Sequence, residues 1–197
     1  MKTLSVFVLL CAVTPLVSCQ EPTKKSTTLK PDSGNFAQNT YRNDFFGFSY
    51  SLPREWNKSR VSPSPLPSGA YYLFIGDRDT GHSLLNRVTV VADPESSNRA
   101  GLSAQEYLSA FIRAQVRQAH AEVTREPSSF ASGGSDFYRA DYKWVDNGTT
   151  IYSSMVCIKR NNYWLDWNFV TPSQRDLDDA MNTVQHISFD TPSARPQ

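Results

Sequence analysis

Runs of aromatic and β-branched residues, separated by prolines and polar segments, predict the first strands of a folded domain. These runs occupy residues 45–52, 70–75 and 87–92. Pro53 ends the first run, because proline removes a hydrogen-bond donor and is found at the ends and edges of strands. The first third of the domain is therefore predicted to be built mainly from strands.

Two segments carry apolar residues at helical spacing and predict helices. Ser103 and Glu106 form a capping box at the start of the first helix. Its predicted buried positions are Leu108, Phe111, Ile112, Val116 and Ala119. Ser173 is the predicted N-cap of a second, shorter helix. The buried positions of that helix are predicted to be Leu177, Ala180, Met181 and Val184.

Residues 136–170 predict a meander of three antiparallel strands. Asn161 and Asn162 are predicted to form a two-residue hairpin loop, because asparagine tolerates the positive φ that such loops require. The resulting register places Ile158 opposite Leu165, Val156 opposite Trp167, and Cys157 opposite Asp166.

The first turn of the meander, at residues 146–148, is compatible with a loop of two or of three residues. A three-residue loop with Gly148 left-handed is predicted, because it keeps the apolar and polar faces of the strands separate. The predicted core face carries Tyr138, Ala140, Tyr142, Trp144, Tyr152, Val156, Ile158, Leu165, Trp167 and Phe169. The opposite, polar face carries Arg139, Asp141, Lys143, Ser153, Met155, Cys157, Asp166 and Asn168.

The order of strands, helix, meander and final helix predicts an α+β domain, in which helices pack against an antiparallel β-sheet. This domain is predicted to span residues 41–190, which is a usual size for one domain. Residues 19–40 are polar and contain proline, and they are predicted to form a disordered tether. Residues 191–197 are predicted to be a frayed tail for the same reason.

The N-terminus has the order of regions that is typical of an export signal. Lys2 supplies the positive charge, and residues 4–13 supply the apolar segment. The sequence Leu16-Val17-Ser18-Cys19 then resembles the lipobox of bacterial lipoproteins. That resemblance implies cleavage after residue 18 and lipidation of Cys19, which would anchor the exported chain to a bacterial membrane facing the periplasm or the exterior. The alternative is ordinary signal cleavage that leaves an incidental cysteine.

Charge balance bears on the class of partner. The chain carries 20 basic and 19 acidic residues, and removal of the signal takes away Lys2 alone among them. The mature chain is then formally neutral, so no nucleic-acid partner is predicted. The predicted partners are the membrane, through the lipid on Cys19, and a protein of the cell envelope.

Residues 45–56, with the sequence FFGFSYSLPREW, resemble the opening of PsbP-like domains. In that family an aromatic-rich strand ends in a proline, and a tryptophan follows three residues later. The order of elements over roughly residues 41–189 is similar as well. The resemblance implies an α/β/α sandwich around an antiparallel sheet and a binding or assembly role, and it implies no shared catalytic residues.

The sequence predicts no catalytic residue, metal site or cofactor. The segment 77–81 starts like a calcium loop, but Val88 stands where a bidentate glutamate is required, and a polar turn is the better interpretation. Cys157 is predicted to be a half-buried strand residue, because its neighbour Asp166 disfavours a thiolate. The one predicted cluster of binding residues is the polar sheet face of Arg139, Asp141, Lys143, Asp166 and Asn168.

The sequence leaves three functional hypotheses open. The leading one is a lipid-anchored, non-catalytic binding or assembly protein of the cell envelope. The second is an envelope enzyme, resembling a hydrolase, whose site is built from loops and would show a pocket with perturbed titratable groups. The third is a carrier of a small apolar ligand, which would show an apolar cavity between the sheet and a helix.

Overall fold

The computed structural model describes residues 29–59, 65–79, 86–96 and 100–190 of the chain. The predicted signal at 1–18, Cys19 and the predicted tail at 191–197 lie outside these residues.

Seven strands form the central antiparallel sheet, in the order β4-β5-β6-β10-β9-β8-β7. The long meander β8–β10 supplies three of the seven strands, and five of the six adjacent strand pairs in the sheet are also consecutive in sequence. The strands are β4 (Asn57–Ser59), β5 (Tyr71–Arg78), β6 (Asn86–Pro94), β7 (Glu122–Ser132), β8 (Ser135–Asp146), β9 (Thr149–Arg160) and β10 (Tyr163–Thr171).

A smaller sheet of four strands packs on one face of the central sheet, in the order β1-β2-β3-β11. It joins the two ends of the described chain, because β11 pairs with β3. Its strands are β1 (Asn35–Ala37), β2 (Thr40–Asn43), β3 (Phe48–Ser51) and β11 (Ile187–Phe189). The strand predicted over residues 45–52 is shorter than expected and begins only at Phe48. Residues 44–47 form a turn in which Gly47 adopts φ 63°.

Two α-helices flank the central sheet. Helix α1 (Ala104–Ala119) begins at the predicted capping box of Ser103 and Glu106, in which both reciprocal hydrogen bonds form. Helix α2 (Gln174–Met181) begins at the predicted N-cap Ser173 and runs into a short 3₁₀ helix, Asn182–His186. α1 packs mainly on β7, β8 and β9, whereas α2 packs with the small sheet on the other face.

Both faces of the central sheet are consequently buried, and each has its own core. The core under the small sheet and α2 is rich in aromatic residues and includes Tyr41, Phe48, Tyr50, Phe74, Phe137, Val156, Trp167, Phe169 and Leu177. The core under α1 consists of Tyr107, Leu108, Ile112, Ala121, Ala140, Tyr142, Met155, Cys157 and Trp164. Val116, a predicted buried position of α1, is instead exposed.

The predicted register of the second meander hairpin is confirmed. Asn161 and Asn162 both adopt positive φ, and Ile158, Val156 and Cys157 lie opposite Leu165, Trp167 and Asp166 respectively. Asparagine at both loop positions was sufficient to identify the turn, and the turn fixes every pair along the ladder.

The prediction for the first meander turn is wrong. Asp146 pairs with Thr149, so Asn147 and Gly148 alone form a two-residue loop, with φ of 47° and 79°. A three-residue loop was predicted in order to separate a polar face from an apolar one, a requirement that applies to a sheet with one face in water. Because both faces of this sheet are covered, the requirement does not apply here.

This one-residue change moves the whole of β8 to the other face relative to the prediction. Ala140 lies opposite Met155, and Tyr142 lies opposite Ser153, so these side chains belong to the α1 core. The proposed core face that grouped Tyr138, Ala140, Tyr142 and Trp144 with Val156, Ile158 and Trp167 therefore does not exist.

The predicted tether also requires a correction. Asn35–Ala37 form β1, which pairs with β2, and Phe36 packs edge-on against Tyr41 and Phe74. The folded domain thus includes at least six residues ahead of the predicted boundary at residue 41. A single phenylalanine within a polar segment carries too little periodicity to predict such a short strand.

Candidate functional site: a cleft beside helix α1

The five predicted binding residues do not share one face. Arg139, Asp141 and Lys143 project from β8 on the side of Phe137 and Val156, because Arg139 lies opposite Val156. Asp166 and Asn168 project from β10 on the side of α1, because they lie opposite Cys157 and Met155. The shift of β8 described above separates the two groups across the thickness of the sheet.

On the first face, Asp141 is the centre of an ion-pair cluster. Arg139 Nε lies 2.7 Å from one carboxylate oxygen of Asp141, and Arg125 Nε lies 3.0 Å from the other. Lys143 pairs separately with Glu122 at 3.0 Å. These charges are directed at each other, so the arrangement serves to join β7 to β8.

On the second face, Asp166 and Asn168 border a cleft of about 620 Å³ between α1 and the strands β5, β6 and β10. The cleft exists because α1 packs mainly on the other half of the sheet. One wall is apolar and the floor is polar. The lining comprises Ser68, Ala70, Tyr72, Thr89, Val91, Asp93, Leu102, Tyr107, Ala110, Phe111, Ala114, Met155, Asp166 and Asn168.

Tyr107 joins the helix to the polar floor of the cleft. Its hydroxyl lies 2.6 Å from Oδ2 of Asp166 and 3.1 Å from Oδ2 of Asp93. Its ring stacks on Trp164 with centroids 4.6 Å apart. Burial, followed by the charge of Asp166, raises the pKa of the Tyr107 hydroxyl far above its usual range, so this hydroxyl remains a proton donor.

Glu95, the residue that follows β6, connects the sheet to Gly101, just ahead of α1. Glu95 accepts hydrogen bonds from Lys159 Nζ at 2.7 Å and from the backbone N–H of Gly101 at 2.9 Å. The bond from Lys159, and then that from Gly101, lower the pKa of Glu95. Lys159 also lies over the ring of Trp164, at 5.5 Å from its centroid. The start of α1, and with it Tyr107, is thereby held in register with the sheet.

Asn168 is held in place by β9. Ser153 Oγ lies 2.9 Å from Asn168 Oδ1 and 2.8 Å from the backbone oxygen of Phe169, and can donate to either. Thr89 lies directly opposite Asn168 on β6. The polar floor of the cleft is therefore made of side chains fixed on adjacent strands, and such groups can orient a bound molecule.

Cys157 lies beneath this region and is fully buried. Burial, together with the neighbouring charge of Asp166, raises the pKa of its thiol, as the predicted pairing of these two residues implied. The thiol therefore stays protonated and is a poor nucleophile.

In the described part of the chain, no group of three or more His, Cys, Asp or Glu side chains is placed to hold a metal ion. Across the same residues, no helix is both long and apolar enough to cross a membrane.

Sequence reasoning missed Asp93 and Tyr107, and with them the cleft. A signal for the helix wall was present, because residues 107 and 114 lie at helical spacing on either side of Phe111, which the predicted apolar stripe already includes. Residues 91 and 93 likewise alternate with the buried positions of β6. What was missing was the offset of α1 relative to the sheet, which no local pattern encodes.

Comparison with solved structures identifies proteins that share the fold of this chain. No protein-family model matches the sequence, and no curated protein matches it. The solution structure of cyanobacterial PsbP from Synechocystis sp. PCC 6803 matches 86% of this chain and 100% of its own, with 12% identity and a TM-score of 0.56. LpqN from Mycobacterium tuberculosis, involved in cell envelope biogenesis, matches over 73% of this chain and 83% of its own, with 12% identity and a TM-score of 0.49.

At these identities the likeness concerns the fold alone. PsbP shares the arrangement over its whole length, and the sequence resemblance in residues 45–56 implied the same architecture. The antiparallel sheets and the two flanking helices of the chain therefore form a PsbP-like fold.

Proposed function

We propose that this chain is a non-catalytic binding protein of a bacterial cell envelope, and that it holds a small amphipathic molecule in the cleft beside α1. The observation that carries the proposal is the cleft itself, about 620 Å³ in volume, with an apolar helix wall and a polar floor. Small-molecule sites in proteins typically have volumes of roughly 300–1,000 Å³ and the same mixture of linings.

The cleft favours a ligand that has both an apolar and a polar part. Leu102, Ala110 and Phe111 line the side of α1, and Asp93 and Asp166 lie on the sheet. A wholly apolar ligand would offer no hydrogen bond to the polar side chains of the floor, among them Thr89 and Asn168, and covering such groups without a partner costs free energy. A wholly polar ligand would leave the helix wall without a partner.

The same geometry supports binding more than catalysis. The best candidate for an acid or base in the cleft is Tyr107, and its raised pKa keeps the hydroxyl protonated at neutral pH. Cys157 is protonated for the same reason and is buried beneath the cleft. An envelope enzyme, the second hypothesis from sequence, would need a group here that titrates near its working pH.

The anchor is a proposal that rests on the lipobox resemblance of residues 16–19. A diacylglycerol group in thioether linkage to Cys19, with a further acyl chain on the freed amine, would hold the domain at a membrane. Mass spectrometry of the mature N-terminus tests this directly. An unmodified N-terminus at any residue other than Cys19 would overturn the anchor and leave the proposal for the cleft intact.

Filling the cleft tests the binding site. Ala110→Trp and Ala114→Trp each place an indole on the helix wall, and Gln118→Trp places one on an exposed position of α1 outside the cleft. The probe is the neutral fluorescent dye phenylnaphthylamine, which combines apolar aromatic rings with one polar amine N–H. We expect each cleft variant to bind it at least tenfold more weakly than the unaltered protein or the control. Equal binding by all four proteins, or no binding by any, would refute the site.

A further inference from the structure

Two polar side chains of the cleft floor lie opposite each other on neighbouring strands. Thr89 on β6 pairs with Asn168 on β10, and both side chains line the cleft. Residues that are directly opposite in an antiparallel pair have Cβ atoms about 4.5–5.5 Å apart. The hydroxyl of Thr89 and the amide of Asn168 can therefore contact the same atom of a bound molecule.

The amide of Asn168 is held in one orientation. Its oxygen, Oδ1, lies 2.9 Å from Ser153 Oγ. Burial raises the pKa of the Tyr142 hydroxyl, and hydrogen bonding to Ser153 and Asn168 partly offsets this rise. A hydrogen bond that lowers the pKa of a tyrosine is donated to its oxygen, so the nitrogen of Asn168 faces Tyr142. Because an amide nitrogen carries two N–H donors, one is used at Tyr142 and the other has no partner among the described residues.

Thr89 supplies the second donor. Among the residues that the structure describes, its hydroxyl makes no hydrogen bond. Asp93 and Asp166, by contrast, are both engaged by the hydroxyl of Tyr107. The floor thus presents two neighbouring donors, one O–H and one N–H, at the point where Thr89 meets Asn168.

A carbonyl oxygen is the ligand group that fits two converging donors, because it has two lone pairs and brings no proton of its own. An amide would add an N–H that needs an acceptor, and a carboxylate would add a full charge, whose burial costs more than that of a neutral group. An ester carbonyl has neither disadvantage.

Apolar side chains adjoin the pair of donors. Met155 lies opposite Asn168 on β9, and Val91 is the next residue of β6 on the same face as Thr89. A hydrogen bond formed in such surroundings is stronger than one formed in water. Phe111 lines the helix side of the cleft and provides a surface for an apolar chain.

We infer that the cleft binds acyl esters, in which the carbonyl oxygen accepts hydrogen bonds from Thr89 and Asn168 while the acyl chain lies along α1. This inference rests on the proposed function, because it names the class of ligand for the same cleft. It requires that the carbonyl group contributes to affinity in addition to the chain.

Methyl octanoate and methyl octyl ether separate the carbonyl from the chain, because they differ only in a C=O group of the ester that is CH₂ in the ether. Displacement of phenylnaphthylamine measures both affinities and places both ligands in the cleft. We expect the ester to bind about three- to tenfold more tightly than the ether, which is the contribution of one net hydrogen bond. Octanoate, whose carboxylate is charged, should bind more weakly than the ester.

Substitution of Thr89 tests the hydrogen bond. Thr89→Val keeps the shape of the side chain and removes the hydroxyl, so the affinity for methyl octanoate should fall about three- to tenfold and that for the ether should change less than about twofold. Thr89→Ser keeps the hydroxyl and should bind the ester within about twofold of the unaltered protein. Thr124→Val, at an exposed position of β7 outside the cleft, is the matched control and should change neither affinity.

The infrared carbonyl stretch of the bound ester provides a readout that a change in the shape of the cleft would not reproduce. Hydrogen bonds lower this frequency, so the band of bound methyl octanoate should lie below that of the same ester in hexane. In Thr89→Val and in Asn168→Leu the band should move back towards the hexane value. Urea unfolding establishes that each variant is folded, including Asn168→Leu, in which Ser153 and Tyr142 lose a partner.

The outcomes distinguish this inference from the proposed function. If the dye binds but the ester binds no more tightly than the ether, or Thr89→Val leaves both affinities unchanged or weakens both equally, the carbonyl contact is refuted and the cleft remains a binding site. An ester band at the hexane frequency, or tighter binding of octanoate than of methyl octanoate, also refutes it. If neither the dye nor either neutral ligand binds, both the inference and the proposed function are refuted.

Discussion

The hydroxyl of Tyr107, in the first turn of α1, donates a 2.6 Å hydrogen bond to Oδ2 of Asp166 on β10. The two residues are 59 positions apart in the chain, and their contact sets the position of the helix over the sheet. The cleft is the space that this placement leaves beside α1. This hydrogen bond therefore connects α1 to the sheet, and both of its residues also line the candidate site.

Removal of this hydroxyl tests the structural tie. Tyr107→Phe keeps the ring that stacks on Trp164 but removes one hydrogen-bond donor from the buried Asp166. We expect the free energy of unfolding to fall by about 1–3 kcal/mol, the cost of removing one partner from a buried polar group. Urea denaturation followed by circular dichroism measures it.

Tyr138→Phe is the matched control. Tyr138 is half-buried on the same face, and its hydroxyl makes no hydrogen bond to another described residue. Its loss is expected to change the free energy of unfolding by less than about 0.5 kcal/mol. Equal losses in the free energy of unfolding for the two substitutions would show that the hydrogen bond from Tyr107 to Asp166 does not stabilise the fold.

The turn between β8 and β9 provides a second test. Gly148 adopts φ 79°, and a Cβ built there would meet no atom within 4 Å, so the cost of a side chain comes from the backbone alone. Gly148→Ala is expected to destabilise the protein by about 1–2 kcal/mol. Gly148→Asn should cost less, because asparagine tolerates positive φ.

Thermal unfolding of the two variants provides the comparison.

The length of the loop can be tested separately. A loop of three residues would have a different register, and the unaltered protein would then show contacts between β8 and β9 that are offset by one residue. Nuclear Overhauser effects between the backbone protons of Ala140 and Met155, which lie opposite each other, report on this register. Their absence would contradict the two-residue loop.

This turn also shows where prediction from sequence succeeded and where it failed. Both meander turns contain residues that favour positive φ, and Asn161-Asn162 led to the correct register because nothing else competed with it. At Asn147-Gly148 the local signal for a two-residue loop was equally good, but it was outweighed by an assumption about tertiary structure. The local rule was right, and the assumed exposed face was wrong.

The candidate site was less predictable than the fold for a related reason. Helix α1, its capping box and its buried residues Leu108 and Ile112 follow from periodicity, which is a local property. The cleft depends on which strands the helix covers, and that is decided by packing between segments distant in sequence. Of the five residues predicted to bind, Asp166 and Asn168 line the cleft, while Arg139 and Asp141 form an internal ion pair.

The ion pair on the other face gives a third prediction. Asp141 is buried and accepts from both Arg125 and Arg139. Asp141→Asn removes the charge that both guanidinium groups face, and we expect a loss of roughly 2–3 kcal/mol. This is below the 3–5 kcal/mol of a fully buried pair, because Arg125 is half exposed.

Arg125→Gln is the partner experiment for Asp141. Since Arg139 remains paired with Asp141, its cost should be under about 1 kcal/mol, the range of exposed salt bridges. Neither substitution should change the affinity for phenylnaphthylamine, because both residues lie on the opposite face of the sheet from the cleft. Weaker binding of the dye by a well-folded Asp141→Asn protein would instead assign a binding role to this cluster.

The start of α2 predicts a dependence of stability on pH. Ser173 Oγ donates to Asp176 Oδ2 at 2.5 Å, and Arg78 lies 3.1 Å from Oδ1 of the same carboxylate. The hydrogen bond from Ser173, followed by the charge of Arg78, lowers the pKa of Asp176. Because the folded pKa lies below the unfolded one, the carboxylate stabilises the protein above the unfolded value and ceases to do so as pH falls through the folded value.

Asp176→Asn should therefore cost about 1 kcal/mol at pH 7, a modest figure because the Asp176 side chain is 27% exposed. The difference between the variant and the unaltered protein should shrink as the pH is lowered towards about 2, since both then carry a neutral group. Urea unfolding across this range measures the difference. Asp179→Asn, on the exposed side of the same helix, is the control and should show a smaller effect at pH 7. If the difference in the free energy of unfolding between Asp176→Asn and the unaltered protein stayed constant from pH 7 to acid pH, the negative charge of Asp176 would not contribute to the stability of α2.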